Sequence, residues 1–536
     1  MRTPARLGLA LAAVALTFAG CSKCGKTAGQ AGAGVERVLP RSAVAVAVIP
    51  SVQVLGERLK GLESLKVAAF SAQLNGFPDA HQWADALVQQ LGIDVRSKEA
   101  LEKAGVDPSG SAGFALLADE SAFLVVPVKD EAKLAAVLQK LAAARLGAGV
   151  AEDQQDGEVT VHRFVPAPGA QARLGYVRVD GFALVGTDAA VANLARWAKL
   201  LEADALSKDP TYAAALGRLP KERDLVVYLP PGSPALQGTV SSATATLALR
   251  PEAITVTADA PWTGDPKALE LLVKQPGSDL LGYLPDDAWL VAKFSGDPAG
   301  LGPWVERLVP QLSRAFSEAA FDVKGEVLAN LKPGAVAGLS LAPTAKLGGM
   351  PDLDLRSTNP FIWAHLTGLT EVKDPQQVPG TLDKLAGLAP RIGSQMAKTD
   401  RDGHPVYFTT YSAGEGVHFA AKGPHVFFGS PAGRIDALLK SEGKATPFSR
   451  PQLKGVLDAR ALTLVIDLQK LAHAVRELPS AAWGIGGFAI KATTLRWLDA
   501  TDDLEAITAG FESKAGAVQA QLVLSLTPPA AAPKAP

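Results

Sequence analysis

Two cysteines and seven histidines, with a few glycine- and aspartate-marked motifs, are the residues of this 536-residue chain that could carry chemistry. Cys21 and Cys24 form a C-x-x-C pair, a spacing that suits redox exchange. Two thiols are too few for a disulfide scaffold or for a structural zinc site built from cysteine. Gly20 to Thr27 formally satisfies the phosphate-loop pattern G-x-x-x-x-G-K-[ST]. A working phosphate cradle needs a core strand before it and a helix after it. Neither is expected here, because a basic-then-apolar leader precedes Gly20 and Thr27 to Gly34 has no helical period. The histidines are His81, His162, His365, His404, His418, His425 and His473. None falls in H-E-x-x-H, and no two lie four apart on a predicted helix. His404, His418 and His425 share one predicted meander with Asp400 and Asp402, and only hairpin pairing could gather them around a metal. Strand alternation makes them ordinary strand and turn residues. Asp400-Arg401-Asp402-Gly403 opens like a calcium loop but lacks the later carboxylates. Gly429 to Gly433 has the wrong spacing for a nucleophile elbow. Gly484-Ile485-Gly486-Gly487 reads as a loop. The acid pairs Asp286-Asp287 and Asp502-Asp503 are expected to be solvated turn residues. No catalytic, cofactor or metal constellation is expected, so the chain reads as non-enzymatic.

The N-terminus carries the most specific signal. Met1 to Arg6 is short and basic, Leu7 to Phe18 is apolar, and Ala19-Gly20 is small. That order is a secretory signal peptide over residues 1–20, and its apolar run is too short to span a bilayer comfortably. Phe18-Ala19-Gly20-Cys21 resembles the bacterial lipobox, with Phe18 where leucine is usual. The resemblance implies cleavage before Cys21 and a diacylglycerol on its thiol. Ser22 after the cysteine, where Asp would retain the protein, implies the outer membrane. Two or three acyl chains anchor durably, since each buried methylene contributes about 0.8 kcal/mol. A thioether at Cys21 also dissolves the C-x-x-C pair and leaves Cys24 as an odd thiol. Residues 21–36 read as the lipidated cysteine and a flexible tether rich in small residues.

Charge and composition narrow the remainder. Fifty-three basic against 54 acidic side chains, a net charge of −1, exclude the basic excess of a nucleic-acid binder. A hydrophobic content of 48% is ample for a core and too high for a mostly disordered chain. Eight tryptophans provide core material. Trp83, Trp197, Trp289, Trp304, Trp363 and Trp497 are expected to pack, and Trp262 and Trp483 to lie in loops.

Length suggests roughly three or four domains, but internal repetition revises that. Leu39-Pro40 recurs as Leu284-Pro285, Val128-Lys129-Asp130 as Val372-Lys373-Asp374, and Asp156-Gly157 as Asp402-Gly403. Gly186 recurs as Gly429, and Leu225 to Leu229 as Leu464 to Leu468. The spacing stays between 239 and 246 residues, by subtraction of these positions. The body therefore reads as two copies, residues 37–275 and 276–527, divided at the Gln275-Pro276-Gly277-Ser278 turn. A Pro/Ala tail, 528–536, is expected to be disordered.

Each copy opens with a β run (Val44 to Ile49; Trp289 to Phe294) followed by amphipathic helices. A strand pair, a helix and a meander with Asp-Gly turns come next. A further helix is expected after Thr187 and Ser430 acting as caps, with Pro431 at its first position. Strands close each copy. The predicted fold class is α+β: two tandem copies of a mainly antiparallel sheet packed by helices on one face, partly ferredoxin-like if the β-α-β-β pieces close that way. This opening Leu-Pro strand and the later strand–glycine–cap–helix step resemble a family of uncharacterised bacterial envelope proteins, which implies a fold and an address but no activity.

The expected function is a lipoprotein of the outer membrane, periplasmic or surface-exposed. It would hold the membrane through its lipid and bind or scaffold an envelope protein or polymer. Two alternatives are a carrier of an apolar or lipid ligand and a hydrolase with scattered catalytic residues.

Overall fold

The computed structural model describes residues 34–236, 238–302, 321–342, 364–392, 394–411, 414–445, 448, 451–478 and 487–527. Cys21, Cys24, Trp304, Trp363, Trp483, Gly484 to Gly486 and the Pro/Ala tail lie outside the described residues. The chain divides into two compact units, the first ending at Thr263 and resuming at Leu526, the second spanning Gly264–Ser525. The Gln275–Ser278 turn thus falls inside the second unit, not at the division. The Gln275 N–H donates to the Ser295 carbonyl (2.7 Å), and the Ser278 hydroxyl donates to Glu371 (2.7 Å). A Cβ on Gly277 would stand 2.7 Å from the Pro333 carbonyl oxygen. Polar groups engaged this closely make the segment part of a packed fold.

The first unit runs β1 (Ala45–Ile49), α1 (Val52–Leu62), α2 (Lys66–Leu74), α3 (Ala80–Leu91), α4 (Lys98–Lys103), β2 (Ala112–Leu116) and β3 (Ala122–Pro127). It continues with α5 (Glu131–Leu141), β4 (Val150–Asp156), β5 (Val159–Val165), β6 (Leu174–Val179), β7 (Phe182–Thr187), α6 (Leu194–Ala198), α7 (Pro210–Arg218), β8 (Leu225–Leu229), β9 (Ala243–Leu249) and β10 (Ala253–Pro261). Its strands pair in the order β4-β5-β6-β7-β3-β2-β1-β8-β9-β10, antiparallel throughout.

The second unit contains β11 (Leu290–Phe294), β12 (Leu331–Leu341), β13 (Ala364–Val372), α8 (Gln377–Leu388), β14 (Gln395–Arg401), β15 (His404–Tyr411), β16 (Gly414–Lys422) and β17 (His425–Ser430). Then come α9 (Ala432–Lys440), α10 (Pro451–Leu457), β18 (Leu462–Asp467), α11 (Leu468–Arg476), α12 (Gly487–Ala500), β19 (Leu504–Lys514) and β20 (Ala517–Leu526). Its order, β14-β15-β16-β17-β13-β12-β11-β18-β19-β20, repeats that of the first unit strand for strand. The architecture is α+β, two copies of one mainly antiparallel sheet. The ladders of known register contain no parallel pair, so the β-α-β-β pieces return as antiparallel meanders.

The cores repeat as well. Leu39, Ala43 and Val46 are buried, and so are Leu284, Ala288 and Val291, each 245 positions later. Val125 matches Leu369, Leu134 matches Val378, and Leu138 matches Leu382, all at 244. Val191, Leu194 and Leu184 lie in the first unit's main core, and Ile435, Leu438 and Phe427 in the second's. One sequence position therefore performs one packing job in both units.

Helices cover both faces of each meander, which corrects the one-faced expectation. On β6, Leu174 and Tyr176 face Leu134 and Leu138 of α5, while Val177 packs with Val191 and Leu194 on the opposite side. In the second unit Tyr407 faces α8 through Val378 and Leu382, while Val406 and Phe427 pack with Ile435 and Leu438 of α9. Successive strand residues point to opposite faces, so a strand buried on both needs apolar residues at consecutive positions.

Two Asp-Gly turns behave as their residues demand. Asp180-Gly181 and Asp402-Gly403 have positive φ at both positions, +46° and +83°, then +53° and +79°. This is the hairpin turn that matches strand twist. The strand–glycine–helix step also has a local cause. A Cβ on Gly186 would sit 3.1 Å from the Ala190 Cβ, and one on Gly429 would sit 3.0 Å from the Leu366 carbonyl oxygen of the neighbouring strand and 3.4 Å from the Arg434 Cβ of α9. Glycine there lets the following helix lie on the sheet.

The helix starts differ from expectation. Thr187 makes no side-chain cap bond, and a 3₁₀ turn, Asp188–Asn193, precedes α6. Helix α9 begins at Ala432, with Pro431 just outside it after a cis Ser430–Pro431 peptide and Ser430 buried. Trp197 packs as expected, its ring 6.1 Å from that of Phe123. Trp497, on α12, is 49% exposed. Trp262, expected in a loop, forms a β-bridge with Val240.

Candidate functional site

Between β1 and β2 the first unit inserts four helices, and these build the most site-like region of the described residues. Ser51 opens α1 by accepting the Val54 N–H on its hydroxyl (3.4 Å). Leu59 and Leu62 bury one face of α1 against Leu247 and Leu249 of β9. Arg58 fastens the same helix, donating to Asp224 (2.8 Å) and to the Leu249 carbonyl (2.5 Å). Burial pushes the Asp224 carboxyl up, and Arg58, Arg250 (3.1 Å) and the Leu249 N–H (2.7 Å) are the donors that favour a charge there. The opposite side of α1 touches the chain before α4. A Cβ on Gly56 would stand 1.9 Å from the Val95 carbonyl oxygen. Only glycine permits that approach.

Helices α2 and α3 form a hairpin against α1. Asp79 caps α3 by accepting the Gln82 N–H (2.8 Å), and Gly92 ends it in the left-handed conformation. Between the three helices lies an apolar cleft lined by Leu59, Leu62, Ala68, Trp83, Leu87 and Val95, with about 50 Å³ of free space. Ligand pockets for small molecules run to several hundred Å³. The cleft as it stands admits a side-chain branch and little more.

One edge of the cleft is closed by charge. Arg96 donates to Glu63 (2.6 Å), Asp85 (2.7 Å) and Asp94 (2.8 Å), and His81 Nδ1 lies 2.5 Å from Glu63. The Glu63 side chain is 8% exposed and that of Arg96 14%. Hydrogen bonding from Arg96 holds the Asp94 carboxyl below the usual carboxylate range despite partial burial, and the same contacts raise the guanidinium. Three carboxylates on one guanidinium form a clamp, tying α1, α3 and the segment before α4 together. The Ser97 hydroxyl stands beside it and is engaged locally, accepting the Ala100 N–H (3.2 Å) and donating to Glu99 (3.0 Å).

A second cluster belongs to the second unit. Arg434 of α9 grips Asp287 with two bonds (3.2 and 2.7 Å), and the Ser340 hydroxyl donates to the same carboxylate (2.7 Å). Arg434 Nε also reaches His365 Nδ1 (3.4 Å). Burial acts to raise the Asp287 carboxyl, but Arg434 and Ser340 outweigh it and the group is lowered. The hydroxyl is thus spent on a carboxylate and not poised by an imidazole, which is the reverse of a nucleophile–base pair.

The residues singled out from sequence fare unevenly. Asp287 is an exposed turn residue, as expected, and is also an ion-pair partner. Asp502 likewise accepts from Arg476 (2.6 Å). His404 pairs with Arg401 beside the Asp402-Gly403 turn, and Asp400 accepts the Gly403 N–H (3.0 Å). His418 is buried and stacks on Phe408, with centroids 5.2 Å apart. His425 lies 3.4 Å from Glu371. The meander does not bring the three histidines to one point, and no group of metal-ligating side chains forms among the described residues. The clamp of Glu63, Asp85, Asp94 and Arg96 was missed entirely. Its local signals were Ser51, Asp79 and Ser97, each three residues before the amide it caps.

No protein-family model matches the chain, and none of the curated proteins does. Among solved structures, crystal forms I, III and IV of TP0453 are similar to it at TM-scores of 0.24, 0.25 and 0.22 and identities of 10%, 9% and 10%. They cover 44%, 44% and 42% of this chain and 81%, 82% and 79% of that one. A likeness of that size carries no argument about this chain.

Proposed function

We propose that the protein is a non-enzymatic lipoprotein of the bacterial envelope, held at the outer membrane through Cys21. Its duplicated body binds or scaffolds another envelope component. The observation that carries this reading is the N-terminal order of basic, apolar and small residues ending in Phe18-Ala19-Gly20-Cys21. Both clusters described above are ion-pair clamps. Among the described residues no helix is long and apolar enough to cross a membrane.

Replacing Cys21 with serine is expected to move the protein out of the membrane pellet into the salt-washed soluble fraction. Undiminished membrane association of the variant contradicts the anchor. A second reading, a carrier of an apolar ligand, draws on the lining of the α1–α3 cleft. It requires α2 and α3 to part from α1, because the free space is small. Mass spectrometry of organic extracts of the purified protein separates the two readings: stoichiometric co-purified lipid beyond the anchor favours the carrier, and its absence favours the scaffold.

A further inference from the structure

We propose that the turn joining α2 to α3 is a second membrane contact, placing Leu74 and Phe77 in the lipid surface to which Cys21 is anchored. The inference rests on the lipoprotein reading and adds a protein surface to it. Val67 to Pro78 contains no charged residue. Leu74 is 63% exposed at the end of α2, and Phe77 is half-buried just beyond it. Charges begin again at once on either side, at Lys66 and Asp79. Helix α2 fully buries only Ala72; Val67 to Phe70 are partly covered, and Leu74 is the apolar residue it leaves exposed. Leu201 is equally exposed but stands next to Glu202, with Lys199 two residues before, as a lone apolar residue on a charged surface. An uncharged apolar tip with a polar collar suits the boundary between headgroups and acyl chains.

The geometry of the tether places the bilayer within reach. The first described residue is Gly34, and the Val35 N–H beside it donates to Ser111 (2.8 Å). Gly110 in turn accepts the Val52 N–H at the start of α1 (3.1 Å). Cys21 lies 13 positions before Gly34, a chain that spans up to about 45 Å when extended. Helix α1 covers about 16 Å and α2 about 13 Å. The tip and the lipidated cysteine can therefore meet one bilayer face.

The test uses the full-length lipidated protein with Cys24→Ser and one new cysteine, Leu74→Cys or, as reference, Glu158→Cys in an exposed meander turn. Each is labelled with a polarity-sensitive fluorophore and reconstituted in phosphatidylcholine vesicles with brominated acyl chains. The expected result is quenching several-fold greater at position 74 than at 158. Equal quenching at the two positions, in protein that still floats with the vesicles, overturns the tip contact and leaves the anchor standing. A blue-shifted emission at 74 that grows with protein concentration but is not quenched assigns the tip to a second copy, and also overturns it. Protein that does not float at all removes the anchor, and the inference falls with it.

Discussion

Arg96→Met is expected to destabilise the helical insertion of the first unit by about 3 kcal/mol, the lower end of the cost of breaking a buried ion pair. The variant leaves Glu63, whose side chain is 8% exposed, without its guanidinium, and releases Asp94 and Asp85 as well. The loss should be local. Helix α1 keeps its apolar contact with Leu247 and Leu249 and its bond from Arg58 to Asp224. The α2–α3 hairpin is tied to the clamp through Asp85, and α2 fully buries only Ala72. Amide exchange in α2 and α3 should therefore quicken roughly a hundredfold, as about 3 kcal/mol requires, while β1, β2 and β3 keep their protection. A pH effect accompanies it. The Asp94 carboxyl is held below its ordinary range by Arg96, so its contribution is present above the unfolded pKa and is lost as pH falls through the folded one. Wild type should loosen in α2–α3 on acidification through the carboxylate range, and Arg96→Met should lack that component. Unchanged exchange in both helices contradicts the clamp.

The second large effect tests the duplication. Leu39 and Leu284 are both fully buried, 245 positions apart, each in the main core of its own unit. Leucine to alanine at such sites costs about 2–5 kcal/mol, depending on how far the cavity collapses. Leu39→Ala is expected to lower exchange protection in β1 to β10 and to spare β11 to β19, and Leu284→Ala to do the reverse. A close approach near Leu39 sharpens the first case. A Cβ on Gly113 would meet the Leu39 side chain at 2.8 Å, so the leucine fills space that the strand leaves open. Loss of protection spread evenly over both units by either variant would contradict two separate cores.

What the sequence makes legible follows from range. The Asp-Gly turns, the Leu-Pro openings and the glycine before α6 and α9 act over a few residues, so their geometry is written locally. The repeat is legible because core positions recur at nearly constant spacing, as Leu134 and Leu138 do in Val378 and Leu382. Layering is not local. Apolar residues at consecutive positions, such as Tyr176 and Val177, signal burial on both faces, yet only the fold shows that α5 covers one face and α6 the other. The clamps are long-range for the same reason. Arg434 and Asp287 are 147 residues apart, and Arg96 and Glu63 are 33 apart. Nothing in either neighbourhood marks the partner. The acid pair Asp286-Asp287 is an exposed turn, as its residues suggest, but its pairing with a distant arginine is not written beside it.

Cys21 stands at the other extreme. A processing signal is read from an extended chain, so its residues are informative without a fold. The most direct test of the anchored-lipoprotein account is the mass of the N-terminal peptide of the mature protein isolated from its own membranes. A peptide that begins at Cys21 and carries diacylglycerol on the thiol is the predicted result. A peptide beginning at Met1, or one beginning elsewhere with Cys21 unmodified or absent, would contradict the account.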